Sequence, residues 1–296
     1  MMKKILISAM LLFACALSLA AQEESAVAKR CERGTMKFQG KVREFYVYKP
    51  EGLQDGAPLV IALHGYGGSA LKGKPGLMDQ ADRSGFAVCY PQGTIDSRGK
   101  AFWQVGYPVD KDQKVDDVAF VKALVRELQR RYGFSRRNVF LTGMSNGGEM
   151  CYLMAKRSPR TFSAIASVAG LTLLDMGLGY RGQVPFMEIH GTADKTSLWT
   201  GDVLNEGGWG AYMSVPAAVS YIVAANECKS EAVDTLELRR NRVIRYSFRD
   251  GKPAWKDGPA TEVWLYKVEG GKHTWAEADM DTFGEIWKFF SKYLRD

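Results

Sequence analysis

Continuous apolar runs of strand length recur along the chain, separated by stretches in which apolar residues return every three or four positions. Residues 58–63 (Pro-Leu-Val-Ile-Ala-Leu), 86–90, 138–142, 162–168 and 184–190 are of the first kind. Such runs are expected of strands covered on both faces of a sheet. Residues 115–132 are of the second kind, with Val115, Val118, Val121, Val125 and Leu128 forming one stripe. Residues 149–156 and 215–225 follow suit, and a closing segment carries Phe283, Ile286, Trp287, Phe290 and Leu294. All four read as helices. Residues 35–38 and 42–48 flank Gln39-Gly40-Lys41 as an opening hairpin, and 243–248 and 262–268 read as later strands. The alternation predicts an α/β fold, a mostly parallel central sheet with helices on both faces. One domain is expected over 35–296, after a linker at 22–34.

Sheets of this kind bind ligands beyond the carboxyl ends of their strands, so the residues standing there carry the argument. His64-Gly65-Tyr66-Gly67-Gly68 follows one run, Gly191-Thr192-Ala193-Asp194 another, and Gly270-Gly271-Lys272-His273 the last. Between them, Gly143-Met144-Ser145-Asn146-Gly147-Gly148 joins a strand to a helix. Gly-x-Ser-x-Gly arises by chance in glycine-rich chains, but a strand before it and a helix after it define a nucleophile elbow. The tight turn strains the serine, and the helix N-terminus aims free N–H groups at negative charge forming beside it.

A serine hydroxyl needs a neighbouring base. The chain has three histidines, His64, His190 and His273. In the α/β-hydrolase order of serine, acid, histidine, only His273 can serve, because His64 precedes Ser145 and His190 ends a strand and supports the loop after it. Asp194 is the expected acid, directly after a strand, ahead of Asp175, Asp202, Glu206, Asp234, Asp250 and Asp257. The oxyanion donors expected are the backbone N–H groups of Asn146 and Tyr66. Asp116 and Asp117, at a helix start, read as cap and dipole partners without a catalytic role.

Composition bounds this picture. The chain carries 46% hydrophobic residues and a net charge of +7, with basic side chains scattered rather than striped among aromatics, which excludes a nucleic-acid surface. Lys3 and Lys4, an apolar run to Leu19 and then Ala20-Ala21 form the pattern of a bacterial secretory signal over 1–21. A secreted or periplasmic protein without a membrane span is therefore expected, lipid attachment at Cys15 being the lesser alternative. Of the remaining cysteines, Cys89 and Cys151 fall in apolar surroundings and read as buried thiols. Cys31 and Cys228 lie in polar stretches, and a disulfide between them is expected in an exported protein. No ligand spacing for a metal and no phosphate loop occurs, so no cofactor is expected.

The five glycine- and acid-bearing blocks, Val115-Asp116-Asp117-Val118 and Gly271-Lys272-His273-Thr274-Trp275 among them, resemble family 1 carbohydrate esterases and the polyhydroxybutyrate depolymerase-like secreted esterases. The resemblance spans nearly the whole chain after the signal. It implies removal of feruloyl or acetyl groups from xylan in plant cell walls, through Ser145, Asp194 and His273. A polyester depolymerase, a peptidase of the same fold and a non-catalytic carbohydrate-binding relative are the competing readings. Residues 195–214 depart from the resemblance as a longer loop, holding Trp199 and Trp209. With Trp103, Tyr107 and Trp275 these tryptophans are expected as aromatic walls for a sugar ring or an aromatic acyl group.

Overall fold

Leu59, Ile61 and Leu63 enter one layer of the core, and Val60 and Ala62 the layer on the opposite face. The same two-residue period divides Leu141 from Phe140, Ile165 from Ala164 and Ala166, and Leu265 from Trp264 and Tyr266. Because both faces are covered, the central strands are apolar at most positions, which is why they read as near-continuous runs.

The computed structural model describes residues 28–296. The expected signal at 1–21, Cys15 and linker residues 22–27 lie outside the described residues. The strands are β1 (Glu32–Phe38), β2 (Lys41–Tyr48), β3 (Leu59–Leu63), β4 (Ala87–Pro91), β5 (Thr94–Ile95), β6 (Ala101–Phe102), β7 (Val139–Met144), β8 (Ala164–Val168), β9 (Phe186–Gly191), β10 (Ser230–Thr235), β11 (Val243–Gly251) and β12 (Thr261–Val268). The helices are α1 (Pro75–Ser84), α2 (Asp117–Tyr132), α3 (Asn146–Arg157), α4 (Val215–Ala225) and α5 (Thr282–Ser291).

Ten strands form one sheet in the order β1-β2-β4-β3-β7-β8-β9-β12-β11-β10, and β5 pairs with β6 apart from it. The six central strands, β4 to β12 in that order, run parallel, and the two at each edge are antiparallel. This is the expected mostly parallel sheet of an α/β-hydrolase, in mixed form. Apolar residues of α2, α3 and α4 pack on one face, and those of α1 and α5 on the other. Phe290 stacks on Phe140 at 4.8 Å and Trp287 on Phe86 at 4.2 Å, fixing the closing helix against the sheet. Among the described residues, no helix is long and apolar enough to cross a membrane.

Several boundaries differ from expectation. β1 begins at Glu32, so the last three linker residues belong to the sheet. Edge strand β10 and helix α1 were not legible: β10 is almost wholly exposed and shows no alternation, and α1 opens at Pro75-Gly76. The expected Cys31–Cys228 disulfide is absent, both thiols being free. Cys31 immediately precedes β1 and Cys228 lies two residues before β10, at opposite edges of the ten-stranded sheet. At ~4.8 Å per strand the two edges stand on the order of 40 Å apart along the sheet, whereas a disulfide needs Cα atoms within about 7 Å. Cys89 and Cys151 are buried thiols, as expected.

Candidate functional site

Parallel pairing puts the carboxyl ends of β3, β7, β9 and β12 on one edge of the sheet, and the chemistry-bearing residues follow those ends. Ser145 sits between β7 and α3 at φ 57° and ψ −123°, a strained conformation for a residue with a side chain. The turn closes because its neighbours are glycines. A Cβ on Gly143 would stand 2.5 Å from the Gly147 carbonyl oxygen, and one on Gly147 would meet the Leu63 carbonyl oxygen at 2.5 Å. Any side chain at either position would push strand and helix apart.

His273 follows β12, and its Nδ1 lies 2.7 Å from Asp194 Oδ2. Asp194 Oδ1 accepts from the backbone N–H groups of Thr196 and Ser197, both at 2.8 Å. Burial alone would raise the Asp194 carboxyl, but the His273 bond and charge, with those two N–H groups, hold it below its ordinary value. An ionised Asp194 requires the proton on His273 Nδ1, leaving Nε2 with a lone pair. Ser145 and His273 line one cavity of about 200 Å³ with Tyr66, Tyr107, Glu149, Leu171, Thr196, Ser197 and Trp209. Among the described residues, no hydrogen bond within 3.5 Å yet joins the serine hydroxyl to the imidazole. Such contacts are commonly loose before substrate binds.

The backbone N–H groups of Tyr66 and Asn146 donate to no protein acceptor among the described residues. They are held by Trp103. Its backbone is clasped by the Asn146 amide, N–H to Oδ1 at 2.6 Å and Nδ2 to the carbonyl at 3.0 Å, while its indole Nε1 donates to the His64 carbonyl at 3.0 Å. Trp103 is wholly buried and stacks on Phe120, so the expectation of a substrate wall there is corrected. It ties the loop after β3 to the start of α3. His64 is likewise structural: Nδ1 donates to the Gly65 carbonyl at 2.7 Å and Nε2 accepts from the Gly93 N–H at 3.0 Å. Burial pushes its imidazole down to about 4, despite the opposing Gly65 bond.

The remaining tryptophans separate. Trp209 lines the Ser145 cavity, 5.3 Å from both Tyr66 and Tyr107, ring centre to ring centre. The loop that carries it is pinned by Asp202, whose carboxylate accepts from the Glu206 and Gly207 N–H groups at 2.9 and 2.8 Å. Trp199 faces elsewhere, packing 6.1 Å from the His190 ring and lining a separate cavity with Pro216, Val219 and Tyr246, which corrects its expected role. Trp275 borders another cavity of about 200 Å³ with His64, Gly65, Leu77 and Tyr90, and packs on Phe283.

Four acids and a histidine complete the frame. His190 Nδ1 lies 2.9 Å from Glu188 Oε1, and Nε2 lies 2.8 Å from the Ser197 carbonyl, so His190 does support the loop holding Asp194. Burial would lower its imidazole, but Glu188, the Ser197 carbonyl and Asp194 together raise it above the ordinary value. Asp116 caps α2 through the Ala119 N–H at 2.8 Å. Asp117 does more than complement a dipole: it is buried, paired to Arg43 at 2.9 Å and accepting from the Gln104 N–H at 2.8 Å. Glu149, one turn beyond Ser145, lines the cavity although only 2% exposed. Burial pushes its carboxyl up to about 7, against the opposing effect of the neighbouring Tyr107 hydroxyl and Asn146 amide. In the sequence it is one more acid in a first helical turn; nothing there signals its burial.

The sheet order and the residues at its strand ends are those of the α/β-hydrolase fold. The prolyl oligopeptidase family model matches residues 78–193, less than half of the chain, taking in Ser145 but stopping short of Asp194 and His273. The chain is 26% identical over 268 residues to the bifunctional acetylxylan esterase/xylanase of Neocallimastix patriciarum, covering 87% of this chain and 34% of that protein. Against feruloyl esterase B of Neurospora crassa it is 32% identical over 129 residues, covering 43% of each. The chain thus spans between a third and a half of the length of these curated relatives. The acetyl xylan esterase structure from Aspergillus awamori superposes with a TM-score of 0.61 at 16% identity, covering 88% of this chain and 99% of that one. The protein has the α/β-hydrolase fold and is similar in sequence to acetylxylan and feruloyl esterases.

Proposed function

We propose that the chain is a serine esterase that removes feruloyl or acetyl groups from xylan, with Ser145 as nucleophile, His273 as base and Asp194 as the acid that orients it. The observation that carries this reading is the cavity shared by Ser145 and His273, with His273 bonded to Asp194 on its far nitrogen. His273 Nε2 takes the hydroxyl proton as Ser145 Oγ bonds to the ester carbonyl carbon. The developing oxyanion accepts from the unengaged N–H groups of Tyr66 and Asn146. Collapse breaks the bond to the sugar oxygen, which leaves with the proton from His273. Water, deprotonated in turn by His273, then attacks the acyl-enzyme and releases the acid with Ser145 restored.

The acyl preference is drawn from the relatives' names and from the three aromatic rings beside Ser145. Export through a signal at residues 1–21, bringing the enzyme to its polysaccharide, belongs to the same proposal. It is tested by incubating the purified protein with feruloylated arabinoxylan and with acetylated xylan. Release of ferulate or acetate by wild type and none by Ser145→Ala supports the reading; release from neither polymer overturns the xylan assignment.

A further inference from the structure

Glu149 has no task in the hydrolytic cycle just described. Its backbone N–H bonds the Ser145 carbonyl at 2.8 Å, which sets it one helical turn from the nucleophile. Glu149 is among the residues lining the cavity beside Ser145, and its Oε2 is buried without a hydrogen-bond partner. Among the described residues, no lysine or arginine borders that cavity. Its polar neighbours are the Tyr107 hydroxyl and the Asn146 amide, and the amide is already engaged with Trp103. A buried polar atom left unpaired is destabilising and calls for an explanation.

We propose that Glu149, with Tyr107 beside it, recognises a hydroxyl on the acyl part of the substrate, so that the site selects hydroxylated acyl groups over their deoxy or O-methylated counterparts. The proposal rests on the serine-esterase reading and deepens it. Tyr66, Tyr107 and Trp209 give the cavity flat apolar walls, which any acyl chain satisfies by burial alone. An unsubstituted acetyl group brings only a methyl and leaves Oε2 unpaired. A hydroxylated acyl group donates its O–H to Oε2 and cancels the cost. Sites built to bond a hydroxyl reject analogues lacking it far more strongly than apolar pockets reject a missing methylene. Near neutral pH the carboxyl also exists in a protonated form that can donate to the same oxygen.

The test uses two matched ester pairs on the purified full chain: methyl ferulate against methyl 3,4-dimethoxycinnamate, and ethyl 3-hydroxybutyrate against ethyl butyrate. Wild type is expected to favour the hydroxylated member of one pair by about tenfold or more in kcat/KM. Which pair responds tells an aromatic from an aliphatic hydroxyacyl group. Glu149→Leu should erase that preference, and Glu149→Gln, which keeps an acceptor oxygen, should retain most of it. Equal kcat/KM within both pairs for wild type overturns the proposal, whatever the variants do. A preference undiminished in Glu149→Leu overturns it as well. Wild-type turnover of p-nitrophenyl acetate separates the two readings: without it the esterase reading fails, and with it only the role of Glu149 is at stake.

Discussion

His273 Nδ1 lies 2.7 Å from Asp194 Oδ2, although 79 residues separate them in the chain. The contact exists because β9 and β12 are parallel neighbours, Val268 opposite Gly191, so the loops after them leave the sheet side by side. A Cβ on Gly191 would stand 2.2 Å from the Gly271 carbonyl oxygen, so the loops approach this closely only without one. Asp194→Asn should therefore alter the imidazole's tautomer while leaving the fold intact. We expect kcat to fall by about ten-thousand-fold with little change in KM, as when the orienting acid is replaced elsewhere. Steady-state kinetics on p-nitrophenyl acetate measures both; near-normal kcat would remove Asp194 from the mechanism.

The two tryptophans of the long loop should behave differently. Trp209→Ala removes a wall of the Ser145 cavity and should lower kcat/KM on feruloylated oligomers by about tenfold more than on p-nitrophenyl acetate. Trp199→Ala removes a side chain that packs beside His190 and should lower the melting temperature without changing the ratio of the two substrates. Equal ratios for both variants would make the loop purely structural.

Glu149 should leave a mark on stability as well. Its folded value of about 7 lies above the ordinary 4.5, so the native state holds its proton after the unfolded chain has lost it. Its contribution is complete below about 4.5 and is lost as pH rises through about 7, on the order of 3 kcal/mol in all. Wild type should thus lose stability relative to Glu149→Gln between pH 5 and pH 7, and the difference should level off above pH 8. Denaturant melts of both proteins across that range would show it; parallel curves would refute it.

The Arg43–Asp117 pair has almost no contact with water, and the Arg43 guanidinium also lies 3.6 Å from the centre of the Phe120 ring. Asp117→Asn would leave a buried cation unpaired and should cost about 3–5 kcal/mol. Urea unfolding measures the loss. Replacing both partners together with apolar residues should cost less than the single change.

What could be read from the sequence follows a physical line. The parallel strands declared themselves because burial on both faces favours apolar residues at most positions, and Ser145 declared itself because an elbow demands glycines at Gly143 and Gly147. Strand ends then pointed to Asp194 and His273 without any knowledge of strand order. Strand order itself was invisible, which is why Cys31 and Cys228 were paired across the width of the sheet. Burial of charged residues was equally hidden: Asp117 and Glu149 look like ordinary acids of a first helical turn. Trp103 and Trp209 are alike in sequence, and only the packing sends one into the core and the other to the cavity. β10 carries no pattern because nearly all of it faces solvent.

The central claim is that Ser145 is the nucleophile, and a covalent trap addresses it directly. Diethyl p-nitrophenyl phosphate should lose p-nitrophenolate as Ser145 Oγ bonds to phosphorus. Mass spectrometry of the digested protein should then find one diethylphosphoryl group, on the peptide containing Ser145, in proportion to the esterase activity lost. Activity lost with that peptide unmodified, or with the label on another residue, would contradict the account.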